Sequence, residues 1–174
     1  MQRKPDLIWL NTPATSIRGG IIFENKSETP AGKNEFRFSV TKEGMINFSE
    51  SLWDWENGFG LDRTIAVIVK ILTYTKMIYN KFGYFGKAQA TLRAYWVQEK
   101  TLTNGGVPLK FPPFNEFKTV AKESAESISF WIEDIREDNL EPCLSLVSNF
   151  IRDLFNFAVD EPLVRSLIKK GYRS

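Results

Sequence analysis

Between Leu61 and Phe82 the apolar positions recur with the period of a helix. At about 100° per residue, Leu61, Ile65, Ile68, Leu72 and Tyr79 fall on one side, flanked by Ile71, Ile78 and Phe82, which predicts a core-facing stripe. Asp62 is placed to cap the first turn, and Gly83 to close the last in the left-handed conformation. Ahead of this helix the period is two. DLIWL (6–10) is a short apolar strand broken by TPATS, and SIRGGIIFEN (16–25) is a second, where Gly19-Gly20 suggests a bulge or a close backbone approach. SETPAGKN (27–34) is a loop by composition. EFRFSVTKEGMINFSES (35–51) predicts the strongest hairpin: Phe36, Phe38 and Val40 share a face, as do Ile46 and Phe48 after a turn at Lys42-Glu43-Gly44.

Alternation returns in KAQATLRAYWV (87–97), with Ala88, Ala90, Leu92, Ala94 and Trp96 against Gln89, Thr91, Arg93 and Tyr95. The small residues would let a bulky element, the preceding helix, lie close. TLTNGGVPLKFPPF (101–114) reads as a long loop, and NEFKTVAKESAE (115–126) fits strand and short helix equally. ESISFWIEDI (126–135) is a strand with Ile128, Phe130 and Ile132 on one face. Asn139 then caps a helix whose Leu144, Val147, Phe150, Ile151, Leu154 and Phe155 form an apolar stripe. Asp160-Glu161-Pro162 opens a last short helix to Gly171. This order predicts a single α+β domain over residues 1–174: a two-layer sandwich, mainly antiparallel, with two long helices packed on one face.

The composition narrows the chemistry. Among 174 residues there is no histidine and one cysteine, Cys143. Ser-His-Asp and Cys-His sites, His-based metal motifs, multi-cysteine zinc sites and an intramolecular disulfide are thereby excluded. Any catalysis would run on carboxylates, Lys, Tyr or an oxygen-held metal, so non-catalytic roles gain weight and enzymatic activity stays open. No stretch approaches the roughly 20 apolar residues of a spanning helix, and the N-terminus lacks an apolar signal-peptide core. A cytoplasmic protein without membrane association is expected, and the sequons at Asn25 and Asn47 read as chance.

Net charge is +2, unevenly spread. Residues 63–100 carry seven cations against Glu99, a balance of +6; residues 116–161 carry eleven acids against four cations, a balance of −7. On the predicted helix Arg63, Lys70, Tyr74 and Lys81 lie within about 40° of one another, opposite the core stripe. Cations with an aromatic among them suit phosphate contact plus base stacking, and Arg93 with Tyr95 repeats the pairing on the next strand. The same pattern also describes a solvated helix face.

Two other clusters stand out. WDWENGFGLDR (53–63) gathers Asp54, Glu56 and Asp62 as carboxylates, and Trp53 or Trp55 as a sugar or base platform; the competing account is an anchored loop, an Asn57-Gly58 turn and a helix cap. Pro5-Asp6 followed by Glu24-Asn25-Lys26 resembles the PD-(D/E)xK nucleases. That resemblance implies Asp6 and Glu24 as ligands of a Mg2+ ion that activates water, with Lys26 steadying the water or the transition state. Outside that alternative no cofactor is expected.

NKFGYFGKAQATLRAYW (80–96), a helix ending in an aromatic-Gly-Tyr-aromatic-Gly turn that feeds a small-residue strand, is similar to the C-terminal α/β region of bacterial AlbA-like (Schlafen-type) putative DNA-binding proteins. ESISFWIEDI and a capped helix ending FNFAVDEP continue the likeness, which spans roughly residues 35–162 in layout. It implies an accessory or regulatory module near nucleic acid and names no site residue. The AlbA-like domain that precedes this region in the family has no counterpart here, so a stand-alone version, a fragment or an isolated domain is expected. Three readings follow: a non-catalytic module binding DNA or RNA through Arg63, Lys70, Tyr74, Lys81, Arg93 and Tyr95; a Mg2+-dependent nuclease on Asp6, Glu24 and Lys26; and a protein-interaction or homodimerisation domain.

Overall fold

The computed structural model describes residues 14–17, 19–29, 32–50, 58–95, 97–111, 115–116, 118–120, 122–156 and 158–173. DLIWL, Asp6, the Trp53–Asn57 stretch and Trp96 lie outside them. The chain divides into two compact units, residues 1–56 and residues 57–174.

The first unit holds four strands, β1 (Ala14–Ile17), β2 (Gly20–Thr29), β3 (Gly32–Thr41) and β4 (Ile46–Glu50), in an antiparallel sheet of order β1-β2-β3-β4. The expected hairpin is β3–β4, with Phe38 opposite Phe48 and Val40 opposite Ile46. The turn closes through Gly44 N–H to Thr41 O at 3.1 Å. SETPAGKN is not a long loop. β2 runs to Thr29 and β3 restarts at Gly32, so most of that polar stretch is sheet. In the backbone register, position 24 lies across from position 37, 26 from 35 and 28 from 33.

The second unit contains β5 (Gly58–Gly60), α1 (Leu61–Lys81), β6 (Lys87–Tyr95), β7 (Thr101–Asn104), β8 (Val107–Pro108), β9 (Lys110–Phe111), β10 (Asn115–Glu116), β11 (Glu123–Trp131), α2 (Glu141–Phe155) and α3 (Glu161–Arg173), with a 3-10 turn at Ile132–Asp134. The protein is thus α+β with antiparallel pairing predominant, its described strands shared among separate ladders. TLTNGGVPLKF, expected as a loop, contains the antiparallel β7–β8 hairpin, turned by Gly105 and Gly106 with φ of 59° and 78°. β5 pairs parallel with β7, Phe59 beside Leu102. Gly58 therefore begins a strand, while Asn57, the other half of the expected turn, lies outside the described residues. A side chain at position 58 would put its Cβ 2.9 Å from Thr103 Cγ2, so the close pairing needs glycine there.

The core of this unit forms where α2 lies against β11 and α3, and α1 against α3, β7 and the 3-10 turn. The helix packed on the β6–β11 ladder is α2, which lies against β11, whereas α1 packs on α3, β7 and the 3-10 turn and not closely on β6 as the small residues suggested. Phe59 is 2% exposed and sits between Phe150 and Phe155, with ring centroids 6.2 and 5.7 Å away. Leu61, Ile65, Leu102, Ile151, Leu154, Val164 and Ile168 complete it, each burial contributing about 1.5–3 kcal/mol. Between the layers, Ser124 Oγ donates to Asp153 Oδ2, and Lys76 Nζ donates to Ile135 O at 2.7 Å and Glu133 O at 3.4 Å, closing the 3-10 turn.

Helix ends differ from expectation by a residue or two. Gly60 is the N-cap of α1 and contributes no side-chain bond, while Asp62 sits within the first turn, where a carboxylate favours the helix dipole. Gly83 does take the left-handed conformation, φ 71°, with its N–H on Asn80 O at 3.0 Å. Leu140 precedes α2, and Asn139 Oδ1 accepts the Glu141 N–H at 3.4 Å. Asp160 Oδ2 accepts from Leu163 N–H at 3.3 Å at the start of α3. Among the described residues no helix is long and apolar enough to cross a membrane.

Candidate nucleic-acid interface

The six residues expected to contact nucleic acid separate in the structure. Tyr74 is buried, 6% exposed, and burial raises its phenol pKa. It does not stand on an open helix face. Arg63 and Lys70 are half-buried on the same side, and Met77, 52% exposed, is the first exposed residue of α1. Val67, Ile71, Tyr74 and Ile78 follow i, i+4, i+7, i+11 spacing and widen the apolar sector on one flank of the main core stripe, about 110° round from it, so Tyr74 lies at the edge of the covered side. Arg63 and Lys70 neighbour that edge rather than forming an exposed face with Lys81.

Lys81, in the last turn of α1, is exposed, as are Arg93 and Tyr95 on β6. They lead to a surface that the helix-centred expectation missed. β6 and β11 pair along nine residues each, from Glu123 opposite Tyr95 to Trp131 opposite Lys87. Alternation sends Ala88, Ala90, Leu92 and Ala94, with Ser124, Glu126, Ile128 and Phe130, to the inner side, while Lys87, Gln89, Thr91, Arg93 and Tyr95 meet Trp131, Ser129, Ser127, Ala125 and Glu123 on the outer. Every one of those ten outer residues is exposed. Lys87 Nζ lies 5.2 Å from the Trp131 ring centroid, and Thr91 Oγ1 and Ser127 Oγ share a hydrogen bond of 2.9 Å. Trp131 is 50% and Tyr95 54% exposed. The signal for Trp131 was its place in ESISFWIEDI: it falls on the polar phase of the alternation, where a large aromatic has no core to fill.

The turn between α1 and β6 adds a second exposed aromatic group. Phe82 is 77% exposed, with Tyr84 and Phe85 nearby in sequence and also exposed. Tyr84 is held from both sides: its ring meets Tyr79 edge-on at 5.3 Å, its hydroxyl donates to Lys87 O, and it fills the space a side chain on Gly86 would need, 2.7 Å from the would-be Cβ. The aromatic-Gly-Tyr-aromatic-Gly pattern is thus a built turn that leaves Phe82 and Phe85 outward.

For the nuclease alternative, Glu24 and Lys26 occupy β2 two positions apart, and Asp6 lies outside the described residues. In the backbone register, Glu35-Phe36-Arg37 lies across from Glu24-Asn25-Lys26.

No family model matches the chain, and neither a curated protein nor a solved structure matches it.

Proposed function

We propose that the chain is a non-catalytic accessory module of the cytoplasm that binds nucleic acid through the basic surface contributed by residues 63–100. The observation that carries this reading is the outer face of β6–β11, where Lys87 and Arg93 stand with the exposed rings of Trp131 and Tyr95 on one two-stranded ladder. Cations supply phosphate attraction and exposed rings supply stacking, the two ingredients of sequence-tolerant binding. The likeness of residues 80–96 to the region beside an AlbA-like domain supports the same partner. Fluorescence anisotropy of labelled oligonucleotides across a salt series tests it. Lys81→Glu with Arg93→Glu should weaken binding at least tenfold and flatten the salt dependence; binding that is absent in the parent protein, or unchanged in the double variant, would overturn the reading.

A second reading, self-association, is favoured by the exposure of Phe82 and Phe85, since clustered outward apolar rings mark interaction surfaces. Sedimentation of the parent beside Phe82→Ser/Phe85→Ser decides it: a dimer lost in the variant supports it, and a parent that is monomeric at all concentrations ends it.

A further inference from the structure

We propose that the outer face of the β6–β11 ladder is a track for single-stranded nucleic acid, on which the Trp131 and Tyr95 rings each stack a base while Lys87 and Arg93 hold phosphates. The proposal rests on the nucleic-acid reading above and adds the strandedness of the ligand and the mode of contact.

The two rings lie at opposite ends of the ladder. Trp131 pairs with Lys87 and Tyr95 with Glu123, eight residues apart along the strands, a span of about 27 Å at the usual strand rise. Between them most side chains are short: Thr91, Ser127, Ser129 and Ala125 rise little above the backbone, with Gln89 and Arg93 the longer members, and the hydroxyls and the Gln89 amide can hydrogen-bond. A stretch of mostly short polar side chains between two aromatic ends suits an extended strand whose bases are free to turn onto the rings. Bases inside a duplex have both faces covered by neighbours, so half-exposed rings gain stacking only from unpaired ones. The length agrees with about 4 nucleotides, the small end of single-strand site sizes.

Charge favours the same ligand. The outer face carries Lys87 and Arg93 against Glu123, so phosphate contact is real but sparse, and stacking has to supply much of the affinity. Lys87 already sits 5.2 Å from the Trp131 ring centroid, which places phosphate contact and stacking within reach of one nucleotide. Glu123 opposite Tyr95 repels phosphate at that end, so the backbone is expected to cross Arg93 and leave the ladder before it. Two phosphate contacts on a single strand give a log-log salt slope of about −1.4, far shallower than an electrostatic duplex binder.

The test uses the full chain and labelled twelve-residue oligothymidylate, oligouridylate and a blunt DNA duplex, read by anisotropy. Single strands should bind at least tenfold tighter than the duplex, and the DNA and RNA arms show whether the sugar matters. Trp131→Ala and Tyr95→Ala should each weaken single-strand binding about 5- to 100-fold, Trp131→Phe should restore most of it, and the salt slope should change little in any of the three. If Trp131→Ala fails to fold by circular dichroism, Tyr95→Ala decides. Duplex binding equal to single-strand binding, with aromatic variants unaffected but Arg93→Glu weakened, would overturn the track while leaving the general nucleic-acid reading intact. Absence of binding to all three probes would overturn both, and a dimer that Trp131→Ala dissolves would assign this face to a second copy of the chain.

Discussion

Lys87 and Trp131 face each other across the β6–β11 ladder with the ammonium 5.2 Å from the indole ring centroid, on a surface open to solvent. A cation over an exposed ring is worth about 0.5–1 kcal/mol. Lys87→Gln should therefore lower unfolding free energy by no more than that, with Lys87→Arg close to the parent, in urea titrations. A larger loss would mean that Lys87 has a further structural role.

Phe59 is buried in the core of the second unit, with the Phe150 and Phe155 rings 6.2 and 5.7 Å away. Phe59→Ala should cost about 3–5 kcal/mol, the range for removing a buried aromatic, measured by chemical denaturation. Phe59→Leu should recover much of it, because β5 would still reach between Phe150 and Phe155.

At Gly58 the constraint is reversed. Adding one methyl should destabilise by about 1–3 kcal/mol through overpacking, since its Cβ would sit 2.9 Å from Thr103 Cγ2. Combining Gly58→Ala with Thr103→Ala should cost less than the sum of the two single changes. Strict additivity in the double-mutant cycle would show that the two positions do not touch.

Alkaline pH should weaken the fold. Burial pushes the Cys143 thiol up to about 12 from 9.0, and burial, aided by the charges of Cys143 and Glu137, pushes Tyr172 up to about 12 from 10.0. Both groups are more readily protonated folded than unfolded, so their contribution is complete below pH 9 and is lost as pH rises toward 12. Denaturation midpoints should fall across that window, and Cys143→Ala should flatten the fall at its lower end. Thiol labelling at pH 8 should be slow in native protein and fast in denaturant.

Lys76 belongs to the basic block in sequence, but its side chain is tied to the 3-10 turn. With its ammonium on Ile135 O and Glu133 O, Lys76→Met should cost about 1.5–3 kcal/mol and leave the salt slope of oligonucleotide binding unchanged. A reduced slope would place Lys76 on phosphate instead.

Periodicity made the local elements readable: the main stripe of α1, the β3–β4 hairpin, both faces of β6 and the 126–131 part of β11 follow from residue spacing. The strand expected to reach 135 gives way to a 3-10 turn at Ile132–Asp134, and its start at 123 lies in a segment that fits strand and helix equally. What spacing did not convey was contact between distant segments. Phe59 joins the core because Gly58–Gly60 pairs in parallel with Thr101–Thr103, and three residues flanked by glycine carry no period. Tyr74 is buried because the covered side of α1 extends past its flank at Ile71 and Ile78, a breadth set by neighbouring elements rather than by the period of the helix. The outer face was half visible. Arg93 and Tyr95 were found on β6, whereas Trp131 and Lys87 needed the register of a strand nearly thirty residues further along to become neighbours.

In sequence, the alternating charges of β2 and β3 single out one backbone register. Shift one strand by two residues and Lys26 meets Arg37 while Glu28 meets Glu35; shift it the other way and Glu24 meets Glu35 while Lys26 meets Lys33. Only the native alignment sets all three charges against opposite partners, whereas a polar hairpin without such a code could slide at little cost. A composition that looks like linker thus tells the chain where to stop zipping.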